Sequence, residues 1–310
     1  MKLKELSRWI LTPIVAGALA FSSLKPVQAC TGARQVAMGD AGVAACNGSH
    51  SIYWNQSAMA LEKEVEVSYT KQFGKVDEAR YDNVISIVYP VNERIGAGIQ
   101  LMNGSKGNLK EKGYLADESW IKLGLGYLLK DGKEDSWTYA IGGALTEKKI
   151  NYTMLEQNDH ENQREKSGLE YEASFLAERK NAFEQGDKLR FGLLAREQFG
   201  IDNENLAVRP GVAYTIPNKL GNLTTSVEFY EIDELLKEEI GRKYAKPRIG
   251  AEQTIGKEDK NFALRAGWDG AGDEGKGTLT AGLGVKYKNL GLDVAYTDKN
   301  VGWVEFSVKF

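Results

Sequence analysis

The chain has 310 residues, 42% of them hydrophobic, with a formal net charge of −3, two cysteines and two histidines. That length suits one large domain or two small ones. The mild acidity offers no basic footprint for nucleic acid, and beyond the N-terminus no run reaches the ~20 apolar residues of a spanning helix. Its 34 glycines against 6 prolines, with 14 Tyr and 6 Trp, suit many strands joined by turns.

The first segment reads as a signal peptide over residues 1–29. Lys2, Lys4 and Arg8 precede a mostly apolar stretch from Ile10 to Leu24, and "PVQAC" offers a cut after Ala29. Its removal takes away four cations and one anion, which brings the net charge from −3 to about −6. The two cysteines, Cys30 and Cys46, follow directly. In an exported protein they could close a disulfide, worth roughly 3 kcal/mol in the chain-entropy model; alternatively, Cys30 is a lipid-modified first residue. Two cysteines without a histidine cluster are too few for a metal shell, and nothing in the chain calls for a cofactor.

Residues 30–61, "CTGARQVAMGDAGVAACNGSHSIYWNQSAMAL" within the longer run to Glu64, are rich in small residues and lack a sustained alternation. From residue 62 to the end, a period of two dominates. In "TLTAGLGVKYK", Leu279, Ala281, Leu283, Val285 and Tyr287 share one face; in "NVGWVEFSVKF", Val304, Phe306, Val308 and Phe310 do. Fourteen such segments begin near Val65, Tyr81, Arg94, Trp120, Ser136, Gly168, Lys188, Val208, Asn222, Lys246, Asn261, Thr278, Asn289 and Val301. Those at Val208 and Lys246 contain Pro, a residue that cannot donate to a ladder. About ten residues per segment is the length of a tilted membrane-crossing strand.

The connections sort by parity. Odd ones are long, as in "NGSKGNLKEKGYLADES", "NYTMLEQNDHENQREKS" and "IDELLKEEIGRK", the last with Asp233 and Gly241 as the cap and stop of a short helix; even ones are short, as in "DGKED" and "PNKLG". Long loops on one side and tight turns on the other are the pattern of a transmembrane antiparallel up-and-down β-barrel, all-β, with about 14 strands and both termini on the periplasmic side. Aromatics form two girdles: Tyr89, Tyr127, Trp137, Tyr214, Tyr287 and Phe310 at one rim, Tyr69, Tyr81, Trp268 and Tyr296 at the other. The inward parity carries Arg190, Arg196, Arg209, Arg248, Arg265, Lys122, Lys286 and Lys309 against Glu66, Glu170, Glu172, Glu178, Glu228, Glu252, Asp293 and Glu305. Balanced signs predict mutual pairing across a wet lumen. Inward glycines such as Gly96, Gly98, Gly124, Gly126, Gly142, Gly282 and Gly284 leave room for inserted backbone or ligand.

The N-terminal segment carries Gly32, Ala33 and Arg34, then Ala37, Met38, Gly39 and Ala41, then Tyr53, Trp54 and Asn55. In these residues the chain resembles outer-membrane barrels of the FadL (fatty-acid transporter) superfamily, PorV/PorQ-like branch, in which "GAR-x-x-AMG-x-A" precedes "YWNPA" and a barrel of fourteen strands. Here Gln56-Ser57 replaces Pro-Ala, so the turn after Asn55 lacks proline's fixed φ. The resemblance implies that residues 30–61 form a plug inside a barrel of residues 62–310. It also implies passive transport of hydrophobic or amphipathic small molecules across the bacterial outer membrane, with outer-membrane lipid as surroundings. The alternative it implies is a PorV-like assembly or attachment factor that holds a secreted protein or secretion machinery with its external loops. An enzyme is not expected: His50 and His160 have no ordered Ser or Asp partner, and no H-E-x-x-H spacing occurs.

Overall fold

A computed structural model describes residues 32–74, 80–108, 114–132, 136–155, 161–199, 206–230, 246–257, 259–270 and 277–310. The signal peptide, Cys30, His160 and the helix expected around Asp233 lie outside these ranges. Fourteen antiparallel strands form a closed barrel in which each pairs with its sequence neighbours. They are β1 (Glu66–Gly74), β2 (Arg80–Pro90), β3 (Ile95–Asn108), β4 (Tyr114–Lys130), β5 (Trp137–Leu155), β6 (Glu161–Lys180), β7 (Lys188–Phe199), β8 (Leu206–Pro217), β9 (Asn222–Tyr230), β10 (Lys246–Lys257), β11 (Lys260–Asp269), β12 (Thr278–Tyr287), β13 (Leu290–Thr297) and β14 (Val301–Lys309). The expected strand count is borne out.

Closure runs from Glu66↔Lys309 to Gly74↔Val301. The seam ends on Phe310, whose N–H donates to the Val65 carbonyl at 2.9 Å. A closed cylinder leaves no strand edge, which hydrocarbon would make costly by several kcal/mol per unpaired group.

Parity sets the two phases. On β4 and β12 the outward residues Leu123, Leu125, Leu279 and Leu283 are 50–62% exposed, while Lys122, next to Leu123 on the inward parity, is fully buried. A continuous exposed belt of Leu, Ile, Val and Phe faces a hydrocarbon phase, not water. No helix among the described residues is long and apolar enough to span; the strands do so. At the short-turn rim Tyr89, Tyr127, Tyr287 and Phe310 stand exposed outward. Tyr214 there donates to Asp187, and Tyr296 at the opposite rim donates to Asn300 at 2.6 Å. Amphipathic rings with an apolar body and a tethered hydroxyl suit the headgroup level.

Two expected loops are largely sheet. Within 103–119 and 151–167 the ladders continue from Asn103↔Ser119 through Asn108↔Tyr114 and from Asn151↔Glu165 through Leu155↔Glu161. The sequence of these stretches lacks the apolar–polar alternation that marks a strand, while the backbone ladder goes on. β4 and β6 therefore begin well before Trp120 and Gly168.

The short turns are tightly built. Across residues 181–187 the Asp187 carboxylate accepts the backbone N–H groups of Ala182, Phe183 and Glu184, and Asn181 accepts that of Gly186. Asp187→Ala orphans three donors and releases the Tyr214 hydroxyl. Trypsin, for which Lys180 and Lys188 flank the turn, is expected to cut this variant several-fold faster than the parent; equal rates would show that the turn holds without its carboxylate.

Candidate functional site: the plug and the inner wall

Residues 32–61 run through the barrel interior as α1 (Ala33–Ala37), a 3-10 turn (Gly48–His50), α2 (Ser51–Trp54) and a second 3-10 segment (Gln56–Leu61). None is long enough to be stable alone; each is held by what the wall offers. Met38, Ile52, Trp54 and Met59 are essentially fully buried.

Wall glycines receive the plug backbone. A methyl group at Gly96 or Gly126 would overlap the carbonyl of Met59 or Gln56; at Gly142 it would strike the Ser57 nitrogen, and at Gly250 the Met38 carbonyl. The room expected at inward glycines is taken by plug backbone at Gly96, Gly126 and Gly142, by plug side chains at Gly98, Gly124 and Gly282, and by the wall's own Asp293 and Arg265 at Gly284. Gly39 itself adopts φ 65, a left-handed conformation natural to glycine, and donates to Thr280 Oγ1 at 3.0 Å.

Wall carboxylates supply the anchors. Glu305 accepts from the Ala33 N–H at 2.8 Å and pairs with His50 Nε2. Glu252 takes both Nε and Nη2 of Arg34 at 2.8 Å, a fork-on-fork pair. Glu228 accepts two successive amides, Gly42 and Val43, both at 2.9 Å. Glu172 accepts from the Gln56 amide, and Glu66 accepts from the Ser49 hydroxyl at 3.1 Å. The remaining valences of these carboxylates face wall cations: Lys122 and Arg196 on Glu172, Arg209 and Arg248 on Glu228, Arg265 on Glu252, Lys309 on Glu66. Glu170 sits beside Lys122 and Arg196, and Arg190 pairs with Glu178 at 2.6 Å while holding the Cys46 carbonyl.

The expected pairing is present, but the wet gap between partners is not. Partners lie one or two strands apart along the wall, or between wall and plug, because the plug fills the space across which open-lumen pairs would reach. Most of the carboxylates are nearly buried, so their charges need these partners.

The motif residues are drawn together by this scheme. Gly32 precedes α1 at φ 91, Ala33 and Arg34 are the first anchors, and Met38 and Gly39 lie on Gly250 and Thr280. Tyr53 lies under Lys122 (4.9 Å) and Arg196 (5.2 Å), and Trp54 under Arg209 (5.3 Å). Asn55 ties the plug to itself and to the wall, donating to the carbonyls of Val43 at 2.8 Å and Phe175 at 3.1 Å. Without proline, the turn after Asn55 is fixed by hydrogen bonds. Asn55 Oδ1 caps the Ser57 N–H, and Gln56 Nε2 donates to the Ile52 carbonyl at 2.9 Å.

Sequence reasoning missed His50 as an anchor, and it missed Thr280 and Ser174, which accept plug amides. One of only two histidines, set in a small-residue stretch, was the available signal. Cys46 is buried with a free thiol; burial pushes the thiol up to about 12 against the opposing pull of Arg190, which makes it unreactive while the plug is docked. No group of acidic, His or Cys side chains suited to a metal occurs among the described residues.

The pKa values of His50 and Asp40 of the plug are shifted as well. Burial alone would push the His50 imidazole down, but Glu305, Glu66 and Asp293 outweigh it and raise its pKa above 6.5. Burial, opposed by Arg248, pushes Asp40 up to about 6. Both groups bind protons more strongly docked than free. The His50 contribution is complete below 6.5 and is lost as pH climbs through its raised value; the Asp40 contribution is already lost above 6. Melting of the protein in detergent is expected to fall from about pH 6 to about pH 9, and His50→Gln to flatten that slope. An unchanged slope would remove His50 from the anchor set.

These features define a plugged transmembrane β-barrel. No family model matches the chain, and no curated protein matches its sequence. Solved structures do match. The toluene transporter TbuX of Ralstonia pickettii aligns at TM-score 0.56 and 10% identity, over 90% of this chain and 98% of that one. The Pseudomonas putida toluene transporter TodX aligns at 0.51 and 10%, over 92% and 99%. CymD, a monoaromatic hydrocarbon channel, aligns at 0.51 and 8%, over 90% and 97%. At such identities the likeness shows a shared fold across nearly the whole of each chain.

Proposed function

We propose that this protein is an outer-membrane barrel of the FadL superfamily that passively admits hydrophobic or amphipathic small molecules, with no catalytic step. The observation that carries the reading is the end-to-end fold likeness to TbuX and TodX, joined to an N-terminal plug packed on the inner wall. In this reading residues 1–29 are the leader, 30–61 the plug and 62–310 the barrel, with both termini periplasmic. The motif residues Gly32 to Asn55 and the charges Arg190, Arg209, Arg248, Arg265, Glu170, Glu228 and Glu252 act as the scaffold that holds the plug. Cys46 keeps a free thiol rather than the expected disulfide, so the acyl chain is the reading proposed for Cys30, and mass spectrometry of the mature N-terminus tests it. Proteoliposomes test the function: uptake of a labelled monoaromatic or fatty acid should exceed that of empty vesicles, while sugars cause no swelling. No gain for any apolar solute would defeat the transport reading.

A second reading has its own support in the "GAR"–"AMG"–"YWN" residues, which resemble the PorV/PorQ-like branch, and in a plug tied to the wall at many points, as a static scaffold would be. There the exposed hairpins would hold a secreted protein or a secretion component. Purification from native membranes separates the two, since an assembly factor should emerge with stoichiometric company.

A further inference from the structure

The lipid-facing wall carries an apolar groove of about 400 Å³ over β6–β9. Phe175, Phe191, Leu193, Val212 and Phe229 stand round it with Pro210, and Gly192 and Gly211 lie between them. Its origin is local. Pro210 has no N–H to donate, and the β8–β9 ladder stops at Gly211↔Glu228 although both strands continue beyond that pair. On the next strand Pro247 pairs with Phe229, so a second imino residue borders the same seam. The strands part there and leave a hollow whose rim is three phenylalanines.

The groove lies three to seven residues from the short-turn ends of β7 and β8. At ~2.5 Å per residue for tilted strands this spans ~8–18 Å into an apolar band ~25 Å tall, centred close to the bilayer midplane. Phe191, Leu193, Val212 and Phe229 are each about 40% exposed on the outward parity, and the lining offers no polar side chain. Behind it the wall is thin: the inner faces of Gly192 and Gly211 rest on Val43 and Ala44 of the plug.

We propose that this groove is a lipid site that seats the terminal part of one acyl chain. The phase in contact with it is hydrocarbon by parity and by depth, so its occupant is apolar. A peptide strand would find no side-chain partner there, and a headgroup cannot reach the midplane at tolerable cost. A narrow hollow bounded by aromatic rings fits an unbranched methylene chain, which fills the space where the sheet has parted. The proposal needs the barrel to sit in a bilayer and does not depend on what the protein transports.

The test uses the full chain in nanodiscs made with phosphatidylcholine that carries a diazirine near the end of one acyl chain. After illumination, adducts are mapped by peptide mass spectrometry. Residues 191–193 and 210–212 should be labelled about tenfold above the more exposed stretch 279–285, a bias that corresponds to about 1.4 kcal/mol. Val212→Trp and, independently, Val227→Trp fill the groove from the lipid side and should each abolish the excess while leaving labelling at 279–285 unchanged. Labelling in proportion to exposure around the whole wall would overturn the proposal. So would an excess that survives both fillings, or chain-to-chain cross-links at these residues in place of lipid adducts, which would assign the groove to a second copy. The wild-type pattern is decisive even if neither variant folds.

Discussion

Replacing Gly96, Gly126 and Gly142 together by valine is expected to turn a sealed barrel into an open pore. Each new side chain would enter space held by the backbone of the Gln56–Leu61 segment. Backbone cannot rotate aside as a side chain can, and overpacking of this kind costs about 1–3 kcal/mol per site. Three sites exceed what the few hydrogen bonds of that segment can offset. The barrel should survive, because its own ladder runs through every strand and does not depend on the plug. The expected reading in a planar bilayer is large, steady conductance in the variant and near silence in the parent. A second readout is chemical: in a Cys30→Ser background, Cys46 should resist maleimide in the parent and react readily in the variant. A silent, unreactive triple valine variant would mean that the plug seats elsewhere.

Removing one wall carboxylate should be nearly as severe. Glu228 is 1% exposed and serves four partners: the amides of Gly42 and Val43 and the guanidinium groups of Arg209 and Arg248. Glu228→Ala leaves two amides without an acceptor. It also deprives Arg209, itself 3% exposed, of a carboxylate 3.0 Å away. Breaking a buried pair from one side costs about 3–5 kcal/mol, because the other charge stays buried. Glu228→Gln keeps the shape and two acceptor lone pairs and should fall between. Heat-modified migration on gels reports barrel unfolding, and the alanine variant should convert at a clearly lower temperature than glutamine or the parent. Equal conversion of all three would show that Glu228 is idle.

Much of the barrel was legible in the sequence because lipid imposes a sharp rule. Where one face meets hydrocarbon, as in Leu279 to Tyr287 or Leu290 to Tyr296, strict alternation follows and ends can be placed within a residue or two. Where that alternation lapses, as at 103–119 and 151–167, composition resembles a loop and the ladder cannot be seen. The plug's existence could be read from its small residues and from the inward glycines of β3, β4 and β5. Its attachment could not. Glu228 and Glu305 act by accepting plug amides, and a backbone N–H has no residue identity to read. The pairing of charges along the wall needed the register, in which Lys122 and Glu172 lie two strands apart rather than across a channel. His50 stayed hidden because its role comes from Glu305, far away in the chain, and not from its neighbours.

All of this rests on residues 33–61 being fixed to the inner wall of a bilayer-spanning cylinder. Hydrogen exchange of the protein in nanodiscs, followed peptide by peptide, examines that directly. Amides of the plug, in particular Ala33, Gly39, Gly42, Val43 and Ser57, which donate to wall side chains, should exchange as slowly as those in the middle of β12. Complete exchange of these peptides within seconds, beside protected strands, would contradict the account.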